Sequence, residues 1–213
     1  MSADIFALFD MIKKKEPEVP SGAPEYIVAG LGNPGDKYAR TRHNAGFMTL
    51  DYTYEKLGIT SADKLRFKAL CREGSVGGKK VLFMKPQTFM NNSGEAVVEA
   101  MNYYKIDLSH LIVVSDDVNL DVGRIRVRGG GSSGGQKGLE SIILHLSDDN
   151  FARVRVGVGA RPDNYDMADW VLGRIPDGDK EGLFFALGVA CDALRLMITE
   201  NTDAAMSKCN GKR

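Results

Sequence analysis

The chain has 213 residues, 43 % of them hydrophobic and 26 % charged, which suits one α/β domain and permits two at most. Such a length buries a core without help from disulfides or a metal. Lysine and arginine number 28, as do aspartate and glutamate, for a formal net charge of zero; this excludes a histone-like or ribosomal-protein-like binder of nucleic acid but not a local basic face.

Residues 1–24 differ in character from the rest of the chain. Ile5, Phe6, Leu8, Phe9 and Ile12 allow a short amphipathic turn or two, and Pro17, Pro20 and Pro24 then break it. We read 1–24 as an extension or linker and 25–213 as the domain. YIVAGL at 26–31 is a continuous apolar run of strand length, suited to burial on both faces. Phe47, Leu50, Tyr54 and Leu57 recur at helical spacing after Asn44. RFKALCREG and KKVLFMKP flank Gly77-Gly78 as a hairpin. Ser93 stands where a helix cap would precede GEAVVEAMNYYK. LIVVS at 111–115 is a buried strand, and GRIRVR at 123–128 alternates as a half-exposed one. GLESIILHL is a short helix, RVRVGVGA alternates again, and Asp179 to about Glu200 is a long apolar helix. Strands interleave with helices and the hairpin adds antiparallel pairing. The expected fold is therefore a single α/β domain, a twisted mixed sheet flanked by helices.

Cys71, Cys191 and Cys209 are odd in number and lack CxxC spacing, so neither a disulfide framework nor a zinc site is expected, and a reducing compartment is. No apolar run approaches the ~20 residues of a membrane span. The N-terminal stretch places acids within its apolar part and its basic cluster after it, the reverse of a secretory signal. A soluble, cytoplasmic protein is expected.

Gly30-Leu31-Gly32-Asn33-Pro34-Gly35 satisfies GxGxxG after a strand. A dinucleotide site also needs a helix starting in that loop and a parallel strand ending in an acid about 20 residues on. Here the next helical periodicity begins near Asn44 and the next strands form a hairpin, so the glycines are read as shaping a turn that presents Asn33.

Of the three histidines, His110 enters a strand and His145 sits between leucines on a short helix, both unremarkable. His43 stands in TRHNAG, in a loop after a strand and directly before a helix, where α/β proteins place reactive groups. LIVVS ends in Ser115-Asp116-Asp117. One carboxylate accepting an imidazole N–H would set the tautomer and leave the other nitrogen as a base. The loop PQTFMNNSG presents Phe89, Met90 and Asn91 before a helix, and its amides can donate and accept without charge. There is no GxSxG serine, no cysteine near a base and no histidine pair for zinc. Water activated by a single histidine remains, which suits an activated ester better than an amide. Arg124, Arg126 and Arg128 alternate on one strand and lead into GGGSSGGQKG, with no acid from Val122 to Lys137. That is a phosphate-contacting pattern.

Together these segments resemble the bacterial-type peptidyl-tRNA hydrolase family. The matching residues are GLGNPG-xx-Y-xx-TRHNAG at 30–46, KPQTFMNNSG at 85–94, SDD at 115–117, GGGSSGGQKGL at 129–139, RVRVGVG at 153–159 and VLGRI at 171–175. The resemblance implies hydrolysis of the ester joining peptide to the terminal ribose of tRNA, without cofactor or metal and without an obligate protein partner, by a monomer. It makes His43 the catalytic base, Asp116 the carboxylate that orients it, and Asn33 the amide that distinguishes blocked from free aminoacyl groups. Tyr38, Phe89 and Asn91 would line the substrate site, and Arg126 and Arg128, with Arg155, would face the tRNA. Two departures stand out: Gln136-Lys137 where many relatives carry His-Asn, and Asn119 where an acid is frequent. The alternative is a non-catalytic RNA-binding relative of the same fold, which would have no need of His43 and Asp116 together.

Overall fold

The computed structural model describes residues 18–212. The amphipathic segment read at 5–12 lies outside the described residues, and 18–24 is chain without regular structure. Seven strands form one mixed sheet in the order β2-β3-β4-β1-β5-β7-β6. They are β1 (Tyr26–Gly30), β2 (Lys64–Arg66), β3 (Ala69–Val76), β4 (Lys79–Pro86), β5 (Leu111–Asp117), β6 (Ile125–Arg128) and β7 (Ala152–Gly157). Strands β4, β1, β5 and β7 run parallel, and the antiparallel pairs β2/β3, β3/β4 and β6/β7 finish both edges. Among the described residues the helices are α1 (Ala45–Leu57), α2 (Ser93–Tyr104), α3 (Lys137–Leu146), α4 (Met167–Leu172), α5 (Lys180–Thr199) and α6 (Thr202–Cys209).

The central stretches of the parallel strands are apolar because helices cover both their faces. Val28, Phe83, Ile112, Val114 and Val154 pack with α1, α5 and α6. Ile27, Ala29, Leu82, Met84, Leu111 and Val113 pack with α2 and α3 on the other side. Segment 177–199 has the length and apolar character of a membrane span, contrary to the reading that no run approaches one. Most of its apolar residues from Leu183 to Ile198 are buried in the core, with Phe185 left exposed.

The Gly77-Gly78 hairpin forms as expected, both residues having positive φ (59° and 81°), the combination a two-residue turn needs to match strand twist. The segment 66–74, read as one strand, instead folds into two. Phe67 and Lys68 adopt φ of 51° and 52°, and β2 turns back on β3 with Arg66 opposite Ala69. No glycine or asparagine marks that turn. The Arg66 guanidinium, stacked over Phe67, Tyr103 and Tyr104, holds it from outside. Ser93 is not a cap: it is the first residue of α2, and its hydroxyl donates to the Met90 carbonyl at 2.9 Å. Strand β7 departs from the alternation read for RVRVGVGA, since only Arg155 is not fully buried there. Arg153 is buried because its guanidinium donates to the carbonyls of Gly131 (2.6 Å), Ser132 (3.2 Å) and Asp149 (2.7 Å), an all-carbonyl solution for a buried cation. Burial pulls this guanidinium below the usual arginine range, with Asp149 opposing the shift. Helices α4 and α6 have no counterpart in the elements read from sequence.

Candidate active site

In a parallel sheet all carboxyl ends point the same way, so the loops after β1, β4 and β5 converge at one edge of the layer. Asn33 follows β1, residues 89–91 follow β4, and Asp116 ends β5. His43 lies in a single 3-10 turn, Arg42–Asn44, that leads into α1. Gly46 sets how close that helix comes: a Cβ there would collide with the Leu31 nitrogen and the Val114 carbonyl. With glycine, the start of α1 lies directly on β1 and β5, and His43 meets a residue 73 positions away.

His43 Nδ1 donates to Asp116 Oδ2 at 2.9 Å, with side-chain exposures of 11 % and 3 %. A buried carboxylate oxygen on Nδ1 makes that nitrogen the protonated one. Nε2 then keeps its lone pair. The two acids of the SDD sequence separate cleanly. Asp117 accepts from the Asn119 backbone at 2.9 Å and its amide at 3.3 Å, and its other oxygen lies 3.0 Å from Arg155 Nε. Asn119 therefore works as an anchor for Asp117, and the missing acid at that position leaves the His43–Asp116 pair untouched.

Asn33 is held on three sides. Its backbone N–H donates to Asn44 Oδ1 at 2.9 Å, and Asn44 Nδ2 donates to its carbonyl at 3.0 Å. The Met90 N–H donates to Asn33 Oδ1 at 2.8 Å. With its oxygen engaged, the Asn33 side chain presents its NH₂ to the cleft.

The cleft measures about 620 Å³ and is lined by Asn33, His43, Phe89, Asn91, Asp116 and Arg155, among others. Its far wall, Met167, Ala168, Val171 and Leu172, is apolar and belongs to α4. Arg42 ties that wall down. Its guanidinium stacks 3.7 Å from the Trp170 ring centroid and donates to the Trp170 and Arg174 carbonyls at 3.4 and 3.1 Å. Burial lowers the Arg42 pKa, the partial counterweight being Asp179.

Not all the residues singled out from sequence reach the cleft. Tyr38 stands outside its lining, half-buried, edge-on to the exposed Phe89 ring at 6.4 Å. Arg126 and Arg128 are exposed on β6, also outside the lining. Arg124 precedes β6 rather than belonging to it and lies 4.0 Å from Asp121. In register, Arg126 faces Arg155 and Arg128 faces Arg153, so all of these share one face of the β6–β7 corner. Sequence reasoning missed Arg42, Asn44, Arg153 and α4. It marks Gln136 only as a departure from relatives, although a place three residues before Leu139 is that of a helix cap. Among the described residues no three His, Cys, Asp or Glu side chains gather as a metal-binding group.

A single α/β domain with a buried imidazole–carboxylate pair at the carboxyl edge of its sheet, facing a largely apolar cleft, fits a small hydrolase that activates water with a histidine. The peptidyl-tRNA hydrolase family model matches residues 27–213. A peptidyl-tRNA hydrolase of Lachnospira eligens is 47 % identical over 87 % of this chain and all of its own length. That of Caldanaerobacter subterraneus is 49 % identical over the same shares. The crystal structure of the Acinetobacter baumannii peptidyl-tRNA hydrolase superposes with a TM-score of 0.83 at 32 % identity, covering 91 % of this chain and 99 % of that one. The chain belongs to the peptidyl-tRNA hydrolase family.

Proposed function

We propose that the domain at 25–213 hydrolyses the ester between a peptide and the 3′-terminal ribose of tRNA, with His43 as the base. The observation that carries this is the Nδ1–Asp116 bond, which leaves Nε2 as the ring's basic atom in a cleft His43 lines. Nε2 takes a proton from water as the oxygen attacks the ester carbonyl, and Asp116 stabilises the imidazolium that forms. Collapse of the tetrahedral intermediate breaks the bond to the ribose oxygen, which receives the proton from Nε2. The products are a free peptide carboxyl group and tRNA.

The Asn33 NH₂ and the neighbouring Asn91 amide are donors suited to the ester oxygen or the first peptide carbonyl. A free α-ammonium in place of the peptide group offers Asn33 no acceptor, which accounts for a preference for blocked substrates. The apolar wall from Met167 to Leu172 suits the peptide, and the β6–β7 arginine face suits phosphates. Of the cross-strand arginines, Arg153 and Arg155 are held from within by carbonyls and by Asp117, so Arg126 and Arg128, exposed on β6, are the two suited to meet phosphates. Peptidyl-tRNA freed prematurely from ribosomes fits a cytoplasmic enzyme that works as a monomer with no obligate protein partner, residues 1–24 being an extension to it. A binding-only relative would have no use for the imidazole–carboxylate pair.

The test is peptide release from N-blocked aminoacyl-tRNA by His43→Ala. A loss of ~10²–10⁴-fold in kcat is expected, with tRNA affinity kept, because the ring supplies a proton acceptor and not a phosphate contact. Near-normal turnover would move the chemistry elsewhere.

A further inference from the structure

Asp116 has two oxygens, and only one faces His43. The other, Oδ1, accepts from Gln136 Nε2 at 2.9 Å. Gln136 is itself buried, and it is the residue that caps α3: its Oε1 accepts from the Leu139 N–H at 2.7 Å. A backbone N–H can only donate and a carboxylate oxygen can only accept. These two neighbours therefore dictate which end of the amide is oxygen and which is nitrogen. The amide cannot flip without losing the cap and facing oxygen to oxygen at Asp116. Nε2 also reaches Met90 Sδ at 3.2 Å, and Met90 N–H holds Asn33. The loops after β1, β4 and β6 are thus joined through one side chain to the carboxylate that holds the base.

Resting on the reading of His43 and Asp116 above, we infer that Gln136 is a positioning residue for the reaction: its helix cap fixes an amide donor that fixes the Asp116 carboxylate, and so the His43 ring. A neutral donor does this without adding a titrating group to the site. The charged groups around it are His43, Asp116, Asp117 with Arg155, Lys137 with Glu140 at 2.9 Å, and Asp166 on the α4 wall. Most are already paired. Asp166 accepts from the N–H groups of Ala168 and Asp169.

Two variants separate capping from positioning. Gln136→Ser keeps an oxygen suited to the helix N-terminus but cannot span to Asp116, whereas Gln136→Met removes both functions at similar volume. Positioning predicts that both lose about ten- to a hundredfold in kcat, the scale seen when the hydrogen-bond partner that orients a metal-ligating side chain is removed, with KM for N-blocked aminoacyl-tRNA nearly unchanged. Gln136→Ser should melt close to the parent, while Gln136→Met should melt lower. The low-field Nδ1 proton resonance of His43 should broaden or vanish in both. His43→Ala is run beside them. If Gln136→Ser keeps kcat within about twofold while His43→Ala is dead, Gln136 is a helix cap only and the inference falls. If His43→Ala stays active, the underlying assignment of the base falls and takes this one with it.

Discussion

The corner around His43 and the arginine face of β6 are built on opposite principles. At the corner the polar groups hold one another: Asp116 is engaged by His43 and Gln136, Asn33 by Asn44 and Met90, Asp117 by Arg155 and Asn119. On β6, Arg126 and Arg128 are exposed, and neither takes part in an ion pair among the described residues. Rate depends on groups held in place before substrate arrives, because reorganisation during the reaction raises the barrier. Affinity for a polyanion depends on charge and released counterions, and tolerates loose side chains. Arg155 belongs to both regions, paired with Asp117 at the cleft and facing Arg126 across the sheet.

The sharpest break in that contrast is Asp116→Asn. It keeps the shape of the corner but removes the charge that stabilises imidazolium and permits the wrong tautomer. The expected fall in kcat is ~10²–10⁴-fold with a small change in KM, read by steady-state peptide release. An effect confined to KM would make Asp116 a binding residue.

Arg126→Ala with Arg128→Ala should do the reverse. KM for peptidyl-tRNA should rise several-fold, and the slope of log affinity against log salt should flatten by roughly 0.7–0.9 for each lost phosphate contact. Turnover of a minimal N-blocked aminoacyl-nucleotide, which has no distant phosphates, should barely change. Equal losses on long and minimal substrates would show that this face supports the corner, and the contrast would collapse.

The smallest effect concerns neither region and serves to separate them from the fold. Burial pushes the Cys71 and Cys191 thiols up to about 11, against ~8.5 for an unperturbed cysteine. Between those values the unfolded chain has lost thiol protons that the native chain keeps. Stability is therefore fully present below about pH 8.5 and falls as pH rises toward 11. Thermal melts should drop by a few degrees across that window, and Cys191→Ala should lessen the drop. A melting temperature flat across the window would contradict the protonated, buried thiols.

Much of this molecule is legible residue by residue. The two-sided burial of β1 and β5 follows from apolar runs of strand length, the Gly77-Gly78 turn from two residues free to take positive φ, and the half-exposure of β6 from its alternation. The motif around His43 and the acids ending β5 point to one edge of the sheet, and His43 and Asp116 do meet there, because the loops after parallel strands gather at their carboxyl ends. Other features depend on partners far away in sequence. The turn at Phe67-Lys68 carries no turn residue and is held by Arg66 against Tyr103 and Tyr104. Arg153 reads as a charge on an alternating strand, yet it is buried because the glycine-rich loop turns its carbonyls inward. The residues alone offer two acids and only the family resemblance chooses Asp116, which does meet His43; which end of the Asn33 amide is engaged and what Gln136 does are set by contacts across the fold. Composition and periodicity report how a residue meets its neighbours along the chain and whether it favours water. A hydrogen bond between side chains 20 or 73 positions apart is decided by which elements pack together, and it exists only once they have.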